Sequence, residues 1–314
     1  MERPERRMMN TNAKLRGGVA GAGAFGANHA GKYAAEPRAT LAAVYDIDLA
    51  RARALTDKHG GAPFDDYAAF LAAVDMVTIA TPAVAHGEQA RAALAASKHV
   101  LVEKPIAVTR EDGRAVLAAA KASGAKLACG HQERLVFAAM GLFDAPEKPT
   151  LIEARREGPW TGRGDDVSVT LDLSIHDADL AMTLLREAPS SVKAQGTITR
   201  SAFFDTIESE TTFPGGAIVR LAATRVAEGR RRVMRIVYPS GEVRVDFVAR
   251  TFENTTPFKL DPDFADKVRD PLGANVSALI DVIEGKAARP PVTGEEGLAA
   301  LELILAIDEA AAIS

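Results

Sequence analysis

Three residues of the 314-residue chain have side chains suited to removing a proton from an alcohol. His176 is a candidate general base, because an imidazole titrates near neutral pH. Asp172 lies one helical turn earlier, so both side chains can point into one cleft. Lys104 follows an apolar segment, and its ammonium can hydrogen-bond the oxygen of the reacting alcohol. Together they suggest acid–base chemistry; taken singly, each also fits a simpler assignment as a surface lysine, a polar helix residue or a helix cap.

A glycine-rich turn near the N-terminus predicts a dinucleotide-binding site. Gly21, Gly23 and Gly26 form the pattern G-x-G-x-x-G, which follows an apolar strand and opens a helical pattern. The first glycine allows a tight turn, the second lets a pyrophosphate approach the backbone, and the third lets the helix pack on the strand. Ala24 and Phe25 begin the helix, where backbone amides face the phosphates. The alternative is a glycine-rich turn in an α/β domain that binds nothing.

The choice of cofactor is predicted from Asp46, which ends the second predicted strand 20 residues beyond Gly26. A carboxylate at that distance accepts hydrogen bonds from the adenosine ribose and repels a 2′-phosphate, which favours NAD over NADP. Asp48 can cap the following helix in its place. Arg51 and Arg53 follow closely and leave NADP open.

The first half of the chain is predicted to be a doubly wound α/β domain of the Rossmann type. Apolar strands alternate with amphipathic helices, which indicates a parallel sheet with helices on both faces and right-handed crossovers. The predicted strands are Leu15–Ala20, Thr40–Tyr45, Asp75–Ala80, His99–Val102 and Lys126–Gly130. The predicted helices are Phe25–Ala35, Leu49–His59, Ala85–Ala96 and Glu111–Ser123.

The second half is predicted to be an α+β domain with a mostly antiparallel open sheet. Apolar and polar residues alternate in Leu151–Arg156, Glu208–Phe213, Ala217–Ala222, Val233–Tyr238 and Glu242–Phe247. Pro214-Gly215-Gly216 and Pro239-Ser240-Gly241 fit hairpin turns. One helix is expected near Asp172–Leu185, and the last is expected to start at Thr293, which has capping-box spacing to Glu296. The predicted organisation is a flexible tail at 1–13, an NAD-binding domain at 14–130 and a substrate-binding and oligomerisation domain at 131–314.

Composition favours a globular protein of the cytoplasm. The chain is 47% hydrophobic and 25% charged, with a net charge of −4. It has no block of basic residues, so binding to nucleic acid or to a membrane surface is not predicted. Cys129 is the only cysteine, which suits a reducing compartment, and no signal peptide or membrane-spanning run is evident. The single cysteine and scattered histidines do not predict a metal site. No tyrosine stands four residues before a lysine, which excludes the short-chain dehydrogenase pair.

Three further segments carry a family resemblance. They are Ala80-Thr81-Pro82 with His86, Glu103-Lys104-Pro105, and Asp172-x-x-x-His176-Asp177-x-Asp179. With the glycine motif, the chain from Lys14 onward resembles the glucose-fructose oxidoreductase/inositol dehydrogenase/rhizopine catabolism (Gfo/Idh/MocA) family. The resemblance implies a Rossmann domain, a sheet domain and a cleft between them, in which hydride passes between a sugar or cyclitol carbon and nicotinamide. It also implies a cis bond at Pro105 and a homodimer or homotetramer formed through the C-terminal sheet.

The resemblance extends candidate roles to residues at both sides of the cleft. Thr81, Pro82, His86, Glu103 and Lys104 are expected to approach the cofactor, with His86 near the nicotinamide. Candidate substrate residues, from the segments around Gly130 and Arg155, are His131, Glu133, Arg134, Arg156 and Trp160. Arg155, Arg156 and Trp160 could bind a diphosphate or stack on a base, or belong to an exposed strand face. Asp177 and Asp179 are expected to make structural contacts, and His29, His59 and His99 are expected to be structural.

Three substrate classes stay open at this stage. The segments around Gly130, Arg155 and Asp165 resemble bacterial UDP-N-acetylglucosamine 3-dehydrogenases, but Leu135-Val136-Phe137 stands where those enzymes have Asn-Pro. A dehydrogenase of free sugars, sugar acids or cyclitols is the main alternative, and an enzyme with a tightly held cofactor that exchanges hydride between two sugars is another. A non-catalytic NAD-binding regulator is the alternative from another class, and the presence of both Lys104 and His176 argues against it.

Overall fold

The computed structural model describes residues 14–313, so the predicted tail at 1–13 lies outside the described part of the chain. The strands of the first half are β1 (Leu15–Ala20), β2 (Ala39–Tyr45), β3 (Ala62–Phe64), β4 (Met76–Ile79), β5 (His99–Val102) and β6 (Leu127–Cys129). The helices between them are α1 (Ala24–Ala35), α2 (Leu49–His59), α3 (Tyr67–Ala72), α4 (Ala83–Ala95) and α5 (Arg110–Ser123). The strands form one parallel sheet in the order β3-β2-β1-β4-β5-β6. Ligands of such sheets bind where the order reverses, here between β1 and β4.

The predicted Rossmann-type sheet is confirmed, and its central strands show why the sequence identifies it. All four residues of β4 are buried, as are Val100, Leu101 and Val102 of β5. Strands covered on both faces are continuous apolar runs of this kind. Two short elements, β3 and α3, were not predicted. β3 has only three residues, including Pro63, which is too few for a periodic pattern.

The strands of the second half are β7 (Leu151–Glu157), β8 (Ser191–Thr197), β9 (Thr206–Thr212), β10 (Ile218–Thr224), β11 (Arg231–Tyr238), β12 (Gly241–Asp246) and β13 (Thr251–Asn254). They form one seven-stranded sheet in the order β13-β12-β11-β7-β10-β9-β8. Neighbouring strands are antiparallel except β7 and β10, which are parallel. The helices of this half are α6 (Glu133–Met140), α7 (Ile175–Leu185), α8 (Phe264–Lys267), α9 (Pro271–Ile283) and α10 (Gly294–Ile313), with a 3₁₀ turn at Leu142–Asp144 and a π-helical turn at Thr170–Ser174.

The mostly antiparallel sheet and both predicted hairpins are confirmed. Thr212 pairs with Ile218 and Tyr238 pairs with Gly241 across the two turns. The edge strands β8 and β13 and the helices α6, α8 and α9 were not predicted. β8 has the sequence Ser-Val-Lys-Ala-Gln-Gly-Thr, in which none of the residues is buried, so its apolar pattern is weak.

The last two long helices fasten the second half to the first. α10 begins as predicted: Glu296 Oε2 accepts from the Thr293 amide at 2.9 Å, and Thr293 Oγ1 accepts from the Glu296 amide at 3.3 Å. α9 packs its Leu279 and Ile280 into the core of the first sheet, beside Met76. None of the helices in residues 14–313 is long and apolar enough to cross a membrane.

The two faces of the second sheet differ in character. On β7, Ile152, Ala154 and Arg156 are buried toward the helices, while Glu153 and Arg155 point to the open face. The open face is charged and internally paired: ion pairs join Glu153 to Arg220 and Arg235, Arg220 to Glu210, and Glu242 to Arg235 and Arg244. This face is therefore polar rather than a second apolar core surface.

Candidate active site

The glycine loop after β1 has the shape that a pyrophosphate requires. Gly21 has a φ of +97°, and a Cβ at Gly26 would stand 1.7 Å from the Gly21 carbonyl oxygen, so neither position accepts a side chain. A Cβ at Gly23 would have no heavy atom within 4 Å, so the surface above it is open. Ala24 and Phe25 start α1, whose first amides face that open space. The residues present therefore fit a dinucleotide.

Asp46 holds the glycine loop against the end of β2. Its Oδ2 accepts from the Ala22 amide at 2.7 Å, and its Oδ1 accepts from the Asp48 amide at 3.0 Å. Asp48 itself caps α2 by accepting from the Ala50 amide at 3.0 Å. The Asp46 carboxylate is thus fixed beside the loop, while the adjacent Ile47 side chain is 87% exposed. In Rossmann domains, a carboxylate at the end of the second strand accepts from ribose hydroxyls and opposes a 2′-phosphate.

His86 braces two loops rather than offering a nitrogen to the cofactor. It is buried, its Nδ1 lies 2.7 Å from the Pro105 carbonyl oxygen, and its Nε2 lies 2.9 Å from the Thr81 carbonyl oxygen. Burial lowers the pKa of His86, and a neutral imidazole has a single N–H, so the ring donates to only one of these two carbonyl oxygens at a time. The expected contact with the nicotinamide is therefore corrected: His86 supports Thr81 and Pro82, which lie just before α4.

Glu103 is likewise turned away from the crevice. It is buried and accepts from His29 Nε2 at 2.7 Å, which links β5 to α1. Burial by itself would raise the pKa of Glu103, but the bond to His29 holds that pKa below its ordinary value. Its expected approach to the cofactor is therefore indirect, and His29, expected to be structural, is its partner.

Lys104 reaches from the first half of the chain to the second. It follows β5, and its bond to Pro105 is cis, as the family resemblance implies. Its Nζ donates to the Asp172 carbonyl oxygen at 2.5 Å and to Asp172 Oδ1 at 3.1 Å. The Lys104 side chain is only 14% exposed. The two sequence-predicted residues thus meet in the cleft.

Asp172 stands in a π-helical turn, where an α-helical position was predicted. The turn covers Thr170–Ser174, and α7 begins only at Ile175. Such turns are frequent at functional sites because they leave backbone carbonyls available, and here the Asp172 carbonyl takes Lys104. Asp308 of α10 stabilises the turn by accepting from Ser168 Oγ at 2.6 Å and from the Thr170 hydroxyl. No side-chain cap is found at the start of α7, so Asp172 does not cap it.

His176 is backed by a chain of buried charges. Its Nδ1 contacts Glu133 Oε2, and Glu133 Oε1 accepts from Arg156 Nη1 at 3.0 Å. Arg156 Nε in turn donates to Asp177 Oδ2 at 2.7 Å. Burial lowers the pKa of His176 to about 4, against the opposing effect of Glu133, so the imidazole is neutral at pH 7. Burial would raise the pKa of Glu133, but Arg156 and His176 hold it well below its ordinary value.

This network corrects the expected substrate contact of Arg156, which is buried behind His176 and bonded to Glu133. The Glu133 side chain is 16% exposed, and its carboxylate contacts Arg156 and His176. A carboxylate beside Nδ1 favours the tautomer with its proton there and a free lone pair on Nε2. The arrangement thus presents a neutral base to the cleft.

Arg134 also has a structural position. Its Nε and Nη2 each donate to Asp179 at 2.8 Å, and its Nη1 lies 3.2 Å from Glu296 Oε1. Its expected contact with substrate is therefore corrected, because the buried guanidinium is already taken. His131 is buried beside it with neither ring nitrogen hydrogen-bonded, and its ring meets that of His176 edge-on at 6.0 Å.

Trp160 lies on the loop that joins β7 to the π-helical turn. Its ring is 5.6 Å from the guanidinium of Arg225. Arg225 is buried, donates to Asp205 Oδ1 at 2.7 Å and to the Val167 carbonyl at 2.9 Å, and contacts the Gly164 carbonyl. Arg225 therefore fixes this loop, and the Gly164 backbone lies against the Asp172 carboxylate. Among residues 14–313 no cluster of three or more metal-binding side chains is found.

Comparisons with known proteins agree with this geometry. Residues 15–131 match the profile of an oxidoreductase family with an NAD-binding Rossmann fold, and residues 136–244 match the Gfo/Idh/MocA C-terminal domain. The chain therefore belongs to the Gfo/Idh/MocA family of oxidoreductases, as the sequence motifs predicted. It is an oxidoreductase whose first half is an NAD-binding Rossmann domain.

Particular relatives narrow the class. The chain is 33% identical to UDP-N-acetylglucosamine 3-dehydrogenase of Acidithiobacillus ferrooxidans over 238 residues, which cover 76% of this chain and 75% of that protein. A solved structure of that enzyme superposes with a TM-score of 0.86 at 31% identity, covering 95% of this chain and 98% of that one. The fold is shared with WlbA dehydrogenase of Bordetella pertussis, solved with NADH and UDP-GlcNAcA (TM-score 0.81, 23% identity, 96% and 97% coverage).

Proposed function

We propose that the chain oxidises the C3 hydroxyl of UDP-N-acetylglucosamine to a ketone, with NAD as the hydride acceptor. The observation that carries the chemistry is the contact of Lys104 Nζ with Asp172, at 3.1 Å from the carboxylate, one turn before His176. The relative of 33% identity supports the choice of substrate. A UDP-sugar is bound in a more distant relative of the same fold.

The catalytic residues are Lys104, Asp172 and His176. His176 Nε2 takes the hydroxyl proton, since the ring is neutral at pH 7 and its Nδ1 faces Glu133. The Lys104 ammonium donates to the oxygen as negative charge develops on it, and Asp172 orients that ammonium. The O–H and C–H bonds break as the C=O bond forms. NAD held by the first half of the chain would supply the hydride acceptor.

The cofactor is held by the first half of the chain. Gly21, Gly23 and Gly26, with the amides of Ala24 and Phe25, take the pyrophosphate, and Asp46 takes the adenosine ribose. Thr81, Pro82 and Lys104 line the continuation of the crevice toward the nicotinamide. His131 and Trp160 border the substrate side, where His131 has two buried nitrogens for a hydroxyl or a water.

The protein is proposed to be a cytoplasmic homo-oligomer. Supporting this, the open face of the second sheet carries a shallow depression of about 900 Å³, lined by Glu153, Arg220 and Arg235 among others, and no helix within residues 14–313 lines it. Light scattering at micromolar concentration is expected to give two or four times the 33.2 kDa chain mass. A monomer of that mass would refute the oligomer and leave the proposed reaction untouched.

The experiment for the reaction is a substrate panel with purified protein. UDP-N-acetylglucosamine, free N-acetylglucosamine, a sugar acid and myo-inositol are each incubated with NAD or NADP, and reduced cofactor is followed by absorbance. The expected result is turnover of the UDP-sugar with NAD, with a product two mass units lighter. Turnover of only free sugars or cyclitols would reject the substrate, and binding of NADH without any turnover would favour a regulator.

A further inference from the structure

Arg232 is a half-buried arginine near the active site. It stands on β11 in register with Arg156 of β7, so both point to the helix-covered face of the sheet. Arg156 forms ion pairs with both nearby carboxylates, those of Glu133 and Asp177. Within residues 14–313, the Arg232 side chain has no hydrogen bond or ion pair.

The charged groups around Arg232 balance one another, so the positive charge of Arg232 itself is left over; Asp246 and Arg250 in the cavity wall are likewise of opposite sign. Arg156, Arg230, Glu133 and Asp177 are the charged groups that act on it. Arg232 is half-buried, and burial, followed by the effect of Arg156, lowers its pKa. An unpaired guanidinium taken partly out of water is destabilising, and an anion bound beside it would remove that penalty.

A cavity of about 170 Å³ lies in front of this side chain. Its wall includes Arg232, Glu133 and Phe247, with Met140 and Phe264 forming part of an apolar lining. A single water needs only about 10–15 Å³ of such volume, so the space suits a larger group. Glu133 also contacts His176, so this cavity adjoins the catalytic residues.

We propose that Arg232 binds an anionic oxygen group of the substrate in this cavity. The planar fork of an arginine matches the paired oxygens of a phosphate or a carboxylate. For a UDP-sugar whose ring is held at Lys104 and His176, the diphosphate is the nearest such group; a sugar acid would offer its carboxylate instead. The inference rests on the proposed function only for the identity of the substrate, and the anion site itself can be tested without turnover.

The chain offers a matched control for the test. Arg231 is the preceding residue on the same strand, is exposed, and lines the opposite open face of the sheet. Arg231→Gln therefore changes the net charge equally without touching the cavity. Arg232→Lys keeps the charge but not the fork. Arg232→Gln removes the charge while retaining a polar side chain of similar length.

The experiment is calorimetric titration of the NADH-loaded protein with UDP, pyrophosphate and glucuronate, alongside steady-state kinetics with UDP-N-acetylglucosamine. In Arg232→Gln, the Kd of the anion that occupies the cavity and the KM are expected to rise at least about tenfold, with kcat within about threefold. Arg232→Lys should recover part of the affinity, and Arg231→Gln should match the wild type.

The titrations separate the possible sources and outcomes. A loss for UDP and pyrophosphate identifies a phosphate, and a loss for glucuronate alone identifies a carboxylate; either supports the anion site. Affinity for all three probes unchanged in Arg232→Gln would overturn it, as would a fall in kcat with KM unaltered. If the wild type binds UDP through Arg232 but oxidises no UDP-sugar, the anion site stands and the proposed reaction fails.

Discussion

The Glu133 carboxylate lies against Nδ1 of His176, so Nε2 is the ring nitrogen left to accept a proton. Arg156 holds Glu133 from behind at 3.0 Å and is itself held by Asp177 at 2.7 Å. The buried chain fixes the ring orientation and stabilises the imidazolium formed on proton transfer. Glu133 is thus a positioning residue for the base.

Glu133→Gln is therefore expected to lower kcat by at least about tenfold at pH 8, with the Kd for NADH unchanged. Removing the negative charge also lowers the pKa of His176 further below about 4, so the acid limb of kcat/KM moves to lower pH. The pH profile of kcat/KM checks this, with Glu153→Gln on the open face as the control. A normal kcat and an unmoved acid limb would show that Glu133 only supports packing.

The lowered pKa of His176 predicts a pH-dependent stability. Its folded value is about 4 against the ordinary 6.5, so between these values the unfolded chain binds more protons and stability falls as the pH falls. A variant that lacks the His176 imidazole should therefore show a smaller decline in the free energy of unfolding. His176→Gln should lose about 1–2 kcal/mol less unfolding free energy than wild type between pH 7 and pH 5. Urea denaturation at both pH values measures it, with His59→Gln as the control; equal declines in wild type and His176→Gln would contradict it.

The features that the sequence predicted correctly are those determined by residues close together in the chain. The glycine loop was identifiable because Gly21, Gly23 and Gly26 occur at a fixed spacing. Lys104 was identifiable because it follows an apolar strand. The π-helical turn around Asp172 was not, because it depends on Asp308 of α10.

Contacts that depend on strand register or on distant helices were also not predicted, because they join residues far apart in the sequence. Glu133 meets His176, and Arg232 lies beside Arg156, only because α6 and α7 and the strands β7 and β11 are brought together in the fold. Arg134 was assigned to the substrate because it follows the first domain, but its guanidinium forms ion pairs with Asp179 and Glu296. A polar residue near a predicted cleft does not disclose which way it points.

The glycine loop gives a test of cofactor binding that separates binding from folding. Gly23→Ala places a methyl group where no heavy atom of the protein lies within 4 Å and where the backbone is extended. The Tm of the free protein should change by less than about 2 °C, while the Kd for NADH rises at least about tenfold because the methyl occupies the pyrophosphate's space. Thermal melting and NADH fluorescence titration measure the two. Unchanged NADH affinity would place the pyrophosphate elsewhere.

Asp46 is expected to determine the cofactor preference. Asp46→Ser removes the charge that opposes a 2′-phosphate and should lower the NAD-to-NADP preference at least tenfold, about 1.4 kcal/mol. The ratio of the two kcat/KM values measures it. Asp48→Ser, which alters only the cap of α2, serves as the control. The assignment fails if the ratio stays the same in Asp46→Ser.

The most direct test of the account is single and double replacement of Lys104 and His176. They come from opposite sides of the cleft and lie beyond the glycine loop, so they should act in the chemical step and not in cofactor binding. Lys104→Ala and His176→Ala should each lower kcat by about 10²–10⁴-fold with the Kd for NADH changed less than about threefold. The double variant should be little worse than the poorer single one, because members of one relay act as a unit. Near-normal turnover in His176→Ala would move the base to another residue, with Asp172 next, and near-normal turnover in both single variants would contradict the catalytic assignment.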